Sequence, residues 1–517
     1  METILREEED DGGGARGAKD PSRKPHVVAL AYPMQGHINP MIHLCKRLAS
    51  LGLSISLVNT QTNHDRLARS RGAALEQGLD IAMLALADDE EDPSAHQGGA
   101  GAGGDDALQR SLVAADAMER PFVALLQGLL DRGRGVDCIL SDAFLGWSQD
   151  VADRFGIPRA ALWASSTEYC LLNFHLLELR TRGYAPIRDA SVLDDDSHTI
   201  AFIDGVAPLH PKDLPSILQR YSSHDPGFEK RYARTRRLCD AYWILGNTFQ
   251  DLEPDALDAI QQAINDDPTS AAKKKRRNFS PVGPLLPSAF LGLGGDDLGS
   301  GNGLWIEDER CVNWLDKQSP SSVLYVSFGS LAVMSSAEML ELAAGIESSR
   351  QPFLWVIRPG SHLGSFDLEG FVERTRQLGL VVQWAPQLQV LFHPSVGGFL
   401  SHCGWNSTIE SIAMGVPIIG LPCIAEQNLN CKRAVKDWGV GCKLQRRGDD
   451  DGDGDAIVGR EEIERVVTRF MTGEDGMELR IRARELREAA RRCVMEGGSS
   501  HKNLEAFVEA VRINGLR

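Results

Sequence analysis

Apolar residues fall in short runs along the chain, and most of the runs are separated by stretches with helical spacing. Residues 26–32 (HVVALAY) predict a buried strand, and 40–50 a helix ended by Gly52. In that reading Asn39 is the N-cap and Pro40 the first helical residue, where a missing N–H is tolerated. Further strands are expected at 53–59, 80–86, 137–141 and 160–163. The alternation of strand and helix argues for a parallel sheet covered on both faces.

The rhythm lapses over 265–305, where DDPTSAAKKKRR, PVGPLLP and GLGGDDLGSGNG are rich in Pro, Gly and charge and read as a linker. It then resumes, with strands expected at 323–327, 353–357, 380–383, 397–400 and 417–421, and helices at 336–349, 406–414 and 425–438. The expected fold class is α/β, with two doubly wound Rossmann-like domains at 25–264 and 306–495. A disordered acidic extension is expected over 1–24, and a terminal helix over 496–517 packing back on the first domain. Such sheets bind ligands beyond the carboxyl ends of their strands, so a cleft between two of them suits a two-substrate reaction.

Composition narrows the function classes. Hydrophobic residues make up 42% and charged residues 25% of the 517, typical of a soluble globular protein. No run of apolar residues is long enough to span a bilayer, and METILREEEDDGGGARG has no apolar signal core. A cytoplasmic location is therefore expected, with no transmembrane segment. Of the net charge of −17, 12 units come from two Gly/Asp-rich stretches: seven acids in 88–106 and five in 449–455. They read as solvated loops, and an acidic chain is a poor partner for nucleic acid. The one basic run, 273–277, reads as a loop as well. The ten cysteines include no C-x-x-C pair and no metal-ligand spacing, which fits free thiols in a reducing compartment and no bound metal. Neither G-x-S-x-G nor H-E-x-x-H occurs.

Three constellations carry candidate chemistry. YPMQGHINP (32–40) places His37 after the first strand and beside a helix N-terminus. The helix dipole there favours a neutral imidazole able to accept a proton, although a lone His in a turn also serves as plain structure. CILSDAF (138–144) places Asp142 where another strand delivers its carboxyl end. It is suited either to orient an imidazole or to cap the following segment. The third is GGFLSHCGWNSTIE (397–410), a strand, a small-residue turn and a helix start. That turn presents N–H groups to a phosphate, with His402, Asn406 and Ser407 as added donors. Ser407 and Glu410 equally match a capping box that needs no ligand.

The whole run WAPQLQVLFHPSVGGFLSHCGWNSTIESIAMGVPIIGLPCIAEQ (384–427) resembles the donor-binding signature of plant UDP-glycosyltransferases of secondary metabolism. YPMQGHINP, NTFQDLEPDAL, VGPLL, WLDKQSPSSVLYVSFGSL, PFLWVIRP and GGSSHKNLEAFVEAV are similar to the same family, in order, across about residues 24–515. The resemblance implies a GT-B fold, the acceptor held by the first domain and UDP-sugar by the second. It implies that Trp384 stacks on uracil, that Ala385 and Gln387 contact the base and neighbouring sugar, and that Glu410 accepts from the ribose hydroxyls. His402, Gly404, Asn406, Ser407 and Ser330 match the diphosphate site. Glu426 and Gln427 match the pair that holds the hexose, with Trp405 nearby, and the terminal glutamine implies UDP-glucose.

The same resemblance makes His37 the catalytic base and Asp142 its partner, in an inverting transfer that yields a β-glucoside. UDP-glucose is then a co-substrate, with no cofactor or metal, and the other partner is a small lipophilic acceptor, phenolic or flavonoid in first place. A monomer is expected. The chain departs from the family at Ala164–Ser165, where a threonine often touches the sugar, and at Glu426, where Asp is commoner. Alternatives are a silent UDP-sugar-binding protein, a UDP-sugar epimerase, a UDP-galactose enzyme, and terpenoid or carboxylic-acid acceptors. Acceptor choice is expected in 164–182 and 188–221, where Leu171, Leu172, Phe174 and Leu176 form either a pocket wall or an ordinary buried helix face.

Overall fold

A computed structural model describes residues 23–71, 80–86, 104–189, 191–195, 197–219, 226–266, 277–294, 307–361, 366–446 and 457–513. The acidic extension up to residue 22, the acidic stretches 87–103 and 447–456, and most of the basic run lie outside the described residues.

Seven strands form the first sheet: β1 (His26–Leu30), β2 (Ser54–Thr60), β3 (Ile81–Leu86), β4 (Cys138–Asp142), β5 (Arg159–Trp163), β6 (Trp243–Gly246) and β7 (Asn278–Pro281). Their order is β3-β2-β1-β4-β5-β6-β7, and every pairing is parallel. The second sheet holds β8 (Val323–Ser327), β9 (Phe353–Val356), β10 (Gly379–Val382), β11 (Val396–Ser401), β12 (Ile418–Gly420) and β13 (Gly441–Lys443). It runs β10-β9-β8-β11-β12-β13, again all parallel. Each sheet is covered on both faces, which is why β1, β4, β5, β8 and β11 are buried at every position and read as unbroken strands.

The helices that matter for the site are α1 (Gln35–Ser50), α2 (Gly104–Ala117), α3 (Thr167–Phe174), α4 (Pro226–Leu238), α5 (Gln387–Phe392), α6 (Trp405–Met414), α7 (Gln427–Lys432), α8 (Glu474–Val494) and α9 (Ser499–Arg512). In both sheets the strand order reverses once, between β1 and β4 and between β8 and β11. Chain segments leave the carboxyl ends on opposite sides of such a reversal and open a crevice.

Several expectations need correction. α1 begins at Gln35, with Met34 as N-cap, so Pro40 lies inside the helix and Asn39 caps nothing. β7 falls within the stretch read as linker; four residues ending in proline carry little strand signal, and a proline is tolerated on the edge of a sheet. β6 (WILG) and β13 (GCK) are not among the expected strands, β13 holding too few apolar residues to register as a run. The helix expected over 425–438 is instead α7 followed by a π-helical turn at Arg433–Asp437.

At the end of the chain, Leu504, Phe507, Val508 and Val511 of α9 sit in one apolar cluster with Val27, Ile55 and Leu245 of the first sheet. Ser500 Oγ donates to the Gly283 carbonyl at 2.7 Å and Asn503 Nδ2 to the Pro281 carbonyl at 2.8 Å. Among the described residues no helix is long and apolar enough to cross a membrane.

Candidate active site

The reversal of the first sheet brings together His37 and Asp142, residues 105 positions apart in sequence. His37 lies in the first turn of α1, directly after β1; Asp142 is the last residue of β4. Their His37 Nδ1–Asp142 Oδ2 distance is 2.8 Å. The other carboxylate oxygen accepts the Phe144 N–H at 2.9 Å, so Asp142 serves its own turn and the imidazole together. The Asp142 side chain is 1% exposed and that of His37 20%, so the aspartate is buried while the ring reaches the cleft. An ionised Asp142 can only accept, which puts the proton on Nδ1 and leaves the Nε2 lone pair available.

A helix terminus alone would keep this histidine neutral. Burial does push its pKa down, but the charge and hydrogen bond of Asp142, with the Glu426 charge, outweigh it and raise the pKa above the ordinary 6.5. Tyr32 and Phe144 flank the ring, and Trp163 packs on Phe144. Centroids lie 5.0 Å apart for Tyr32–His37, 5.3 Å for His37–Phe144 and 5.5 Å for Phe144–Trp163.

His37 opens onto a cavity of about 580 Å³ between the two sheets. All the expected donor-binding residues line it: Ser330, Trp384, Ala385, Gln387, His402, Gly404, Trp405, Asn406, Ser407, Glu410, Glu426 and Gln427. The carboxyl ends of the second sheet deliver them, Ser330 after β8, Trp384 to Gln387 after β10, His402 to Ser407 after β11, and Glu426 and Gln427 after β12. α6 starts at Trp405 with Gly404 as N-cap, and no side chain caps it. Ser407 and Glu410 are therefore interior helical residues, and the capping-box reading fails.

Instead they belong to a hydrogen-bonded set around Gln387. Its Nε2 donates to Ser407 Oγ at 3.0 Å and to Glu410 Oε2 at 2.7 Å, while its Oε1 accepts from the Tyr325 hydroxyl at 3.1 Å. Burial lifts the Glu410 pKa to about 7, the Gln387 bond pulling against it. His402 is pushed by burial down to about 4, so its ring is neutral at pH 7. Gly329 and Gly404 both lie against that ring: a Cβ at either would come within 2.6 Å of Nε2.

The turn before α7 is fixed by backbone chemistry. Gln427 Oε1 accepts the N–H groups of Cys423 at 2.8 Å and Ile424 at 2.9 Å, leaving its amide nitrogen as the donor. Ser165 Oγ reaches Glu426 Oε1 at 3.5 Å, so the serine after Ala164 faces the acidic partner across the cleft. Trp405 and Asn406 also join the two domains. The Trp405 indole donates to the Asn247 carbonyl at 2.8 Å, and Asn406 Nδ2 to the Gly36 carbonyl at 2.6 Å.

At the other end the walls are Leu112, Val113 and Asp116 of α2, Ile217, and Arg234 and Leu238 of α4. Ile217 falls in the stretch 188–221 expected to set acceptor choice, while sequence reasoning missed the positions on α2 and α4, because an apolar helix face that lines a pocket has the same spacing as one that packs a core. Leu171, Leu172 and Leu176 do not line the cavity; they are buried in the core of the first domain. Among the described residues no group of three His, Cys, Asp or Glu side chains converges as a metal site.

Comparison with known proteins meets this geometry. Residues 308–447 match the family described as UDP-glucoronosyl and UDP-glucosyl transferase, and 24–86 a glycosyltransferase N-terminal domain. The chain is 34% identical over 515 residues to 7-deoxyloganetin glucosyltransferase of Catharanthus roseus, covering 96% of this chain and 99% of that protein. The chain belongs to the plant UDP-glycosyltransferase family. Linamarin synthase 1 of Manihot esculenta is 35% identical, over 96% of this chain and 98% of its own length. The structure of Phytolacca americana UGT2 complexed with UDP-2fluoro-glucose and pterostilbene superposes with a TM-score of 0.73, at 30% identity over 94% of this chain and 99% of that one. The fold is thus GT-B and the protein is a glycosyltransferase enzyme. A silent binder and an epimerase fall away as readings.

Proposed function

We propose that this plant UDP-glycosyltransferase transfers glucose from UDP-glucose to a hydroxyl of a small lipophilic acceptor, with inversion, giving a β-glucoside. The observation that carries the reading is the His37–Asp142 pair at 2.8 Å, opening on the cavity that Gln427 and α6 line. Gln427 with its amide nitrogen as donor, and Glu426 beside it, are suited to hexose hydroxyls. Trp384 offers a ring for uracil, with the Ala385 backbone and the Gln387 amide beside it, and Glu410 a carboxylate for ribose hydroxyls. Neutral His402, Ser330, Asn406, Ser407 and the α6 N-terminus suit the diphosphate.

In this mechanism His37 Nε2 removes the acceptor proton as the acceptor oxygen attacks the anomeric carbon. The bond from that carbon to the UDP oxygen breaks, and UDP leaves with the electron pair. Asp142 holds the tautomer and stabilises the imidazolium. The helix dipole of α6 meets the growing charge on the diphosphate, so no separate acid is needed. The scheme draws on no cofactor or metal and on a single copy of the chain, and the cytoplasm is the fitting location.

Acceptor class follows from the ring cluster. Tyr32 and Phe144 beside His37, with Trp163 packed on Phe144, favour a flat aromatic acceptor presenting a phenolic hydroxyl, a flavonoid or simpler phenol. A second reading takes a non-aromatic alcohol, because the relatives at 34% and 35% identity are named for 7-deoxyloganetin and linamarin. A panel holding both classes, offered with UDP-glucose and then UDP-galactose and read by mass spectrometry, separates them. Hexose added to phenols supports the first reading, and hexose added only to non-aromatic alcohols replaces it with the second. No product with either donor would overturn the proposal.

A further inference from the structure

The loop that carries Glu426 and Gln427 belongs to the second domain, yet its outer face is fastened to the first. Leu429 of α7 is fully buried, and the apolar cluster it joins is otherwise built from first-domain residues, Trp163, Tyr169, Leu172 and Leu214 among them. One helical turn on, the Arg433 guanidinium meets the Glu168 carboxylate at 2.7 Å. The Glu168 side chain is 0% exposed and that of Arg433 10%. Positions 429 and 433 share one face of the chain, and Gln427 turns to the cavity.

Two further bonds cross at the same place. Ser216 N–H donates to the Ala425 carbonyl at 2.8 Å, and Ala425 holds a left-handed φ of 57° that sets up the turn before Glu426. Ser165 reaches Glu426, and Glu168 stands three residues later in the first turn of α3. The Glu168 end is itself held, its Oε1 accepting also from the Ala207 N–H at 3.2 Å. On the Arg433 side, Asp437 Oδ2 lies 3.1 Å from the guanidinium and 2.8 Å from Lys432 Nζ.

We propose that Glu168, Arg433 and Leu429 are positioning residues that set the hexose-binding loop against the catalytic histidine. The inference deepens the functional reading above and rests on it. His37 is fixed in the first domain and Gln427 in the second, so the distance between base and sugar depends on the register of the two domains. A buried, hydrogen-bonded Glu168–Arg433 pair with an apolar anchor specifies that register, because a shifted arrangement would leave the guanidinium and the carboxyl group without their partner and away from water. The side chains of Glu168 and Arg433 bond to each other, to Ala207 and to Asp437, and Leu429 sits in the apolar cluster, so none of the three is tied to the residues assigned to uracil, ribose or diphosphate. Their loss should therefore be felt at the sugar and not at UDP.

The test compares wild type with Glu168→Gln, which keeps shape and removes charge, with Arg433→Met, and with Leu429→Ala as a variant that leaves the ion pair intact. For each, UDP binding is titrated by calorimetry, giving both Kd and the fraction of competent sites, and UDP-glucose KM and kcat are measured with an acceptor the wild type uses. Wild-type turnover of UDP-glucose tests the functional reading separately. The expected result is a fall in kcat/KM for UDP-glucose on the order of 10- to 100-fold, with UDP Kd unchanged. The double variant Glu168→Gln, Arg433→Gln, which can still form an amide pair, should recover part of the loss. Equal weakening of UDP and UDP-glucose, or a lower competent fraction with unaltered KM and kcat per site, would overturn the proposal. Should Arg433→Met not fold, Glu168→Gln and Leu429→Ala decide it alone.

Discussion

Asn406 completes a hydrogen bond that Pro40 cannot make. In a helix the N–H of residue 40 would donate to the carbonyl of residue 36, and proline has none. Asn406 Nδ2 reaches across the cleft and donates to that Gly36 carbonyl at 2.6 Å. A proline that breaks the ladder of α1 one turn from His37 thereby creates a docking point for the first turn of α6. Asn406→Ala should cost about 1–3 kcal/mol by leaving the carbonyl unpaired, measured by urea unfolding. In the double variant Pro40→Ala, Asn406→Ala, the N–H restored at position 40 can take up the Gly36 carbonyl within the helix. Recovery of most of the lost stability is the expected result; purely additive losses would show that the two residues are independent.

The His37–Asp142 pair predicts a pH profile. The base must be neutral to accept a proton, and its pKa lies above 6.5 because Asp142 and Glu426 outweigh burial. Transfer should therefore fall as pH drops through that raised value and level off above it. Asp142→Asn removes the main raising influence, so the acid limb should move to lower pH while the plateau falls, the imidazole having lost its orienting partner. His37→Ala should lower transfer by about 10²-fold or more with UDP affinity intact. Initial rates between about pH 5 and 9 check both, and an acid limb unmoved in Asp142→Asn would remove the pairing argument.

Legibility in the sequence follows burial and period. β1, β4, β5, β8 and β11 are buried on both faces and stand out as apolar runs, whereas β7 (NFSP) and β13 (GCK) hold too few apolar residues to do so. The start of α1 is misplaced from sequence because Pro40 is a strong N1 signal, and only tertiary support from Asn406 explains its tolerance deeper in the helix. Asp142 and His402 at strand ends, and His37 in the first helical turn after β1, can be placed by topology. The acceptor walls on α2 and α4 cannot, since Leu112 and Leu238 differ from core leucines only in what lies opposite them. Glu168 and Arg433 are invisible for the same reason: 265 residues separate partners whose meaning lies only in their contact.

Gln427 offers a test of sugar recognition. Its Oε1 is consumed by the Cys423 and Ile424 N–H groups, so the side chain orders its own loop as well as presenting a donor. Gln427→Ala loses both functions and should raise the UDP-glucose KM by roughly 10-fold, the worth of one or two lost polar contacts. Inhibition by UDP should be nearly unchanged. Comparing UDP-glucose KM with UDP Ki in the same assay checks this, and a parallel rise in both would move Gln427 from the sugar to the nucleotide.

Glu410 gives the last prediction. Burial lifts its pKa to about 7, so near neutrality the empty site holds both protonated and ionised forms. The carboxylate is the stronger acceptor for two ribose hydroxyls, because both of its oxygens share the negative charge, whereas a protonated carboxyl is neutral and turns one oxygen into a donor. A ligand that binds the ionised form better must tighten as pH rises through about 7 and pull the pKa down on binding. Uridine is the right probe, since it lacks the phosphate whose own ionisation would blur the result. Its affinity should rise between about pH 6 and 8 in the wild type. Glu410→Gln should bind uridine more weakly and show no such rise, because the amide does not titrate. A wild-type affinity flat across this range, or a rise preserved in Glu410→Gln, would mean that another group holds the ribose.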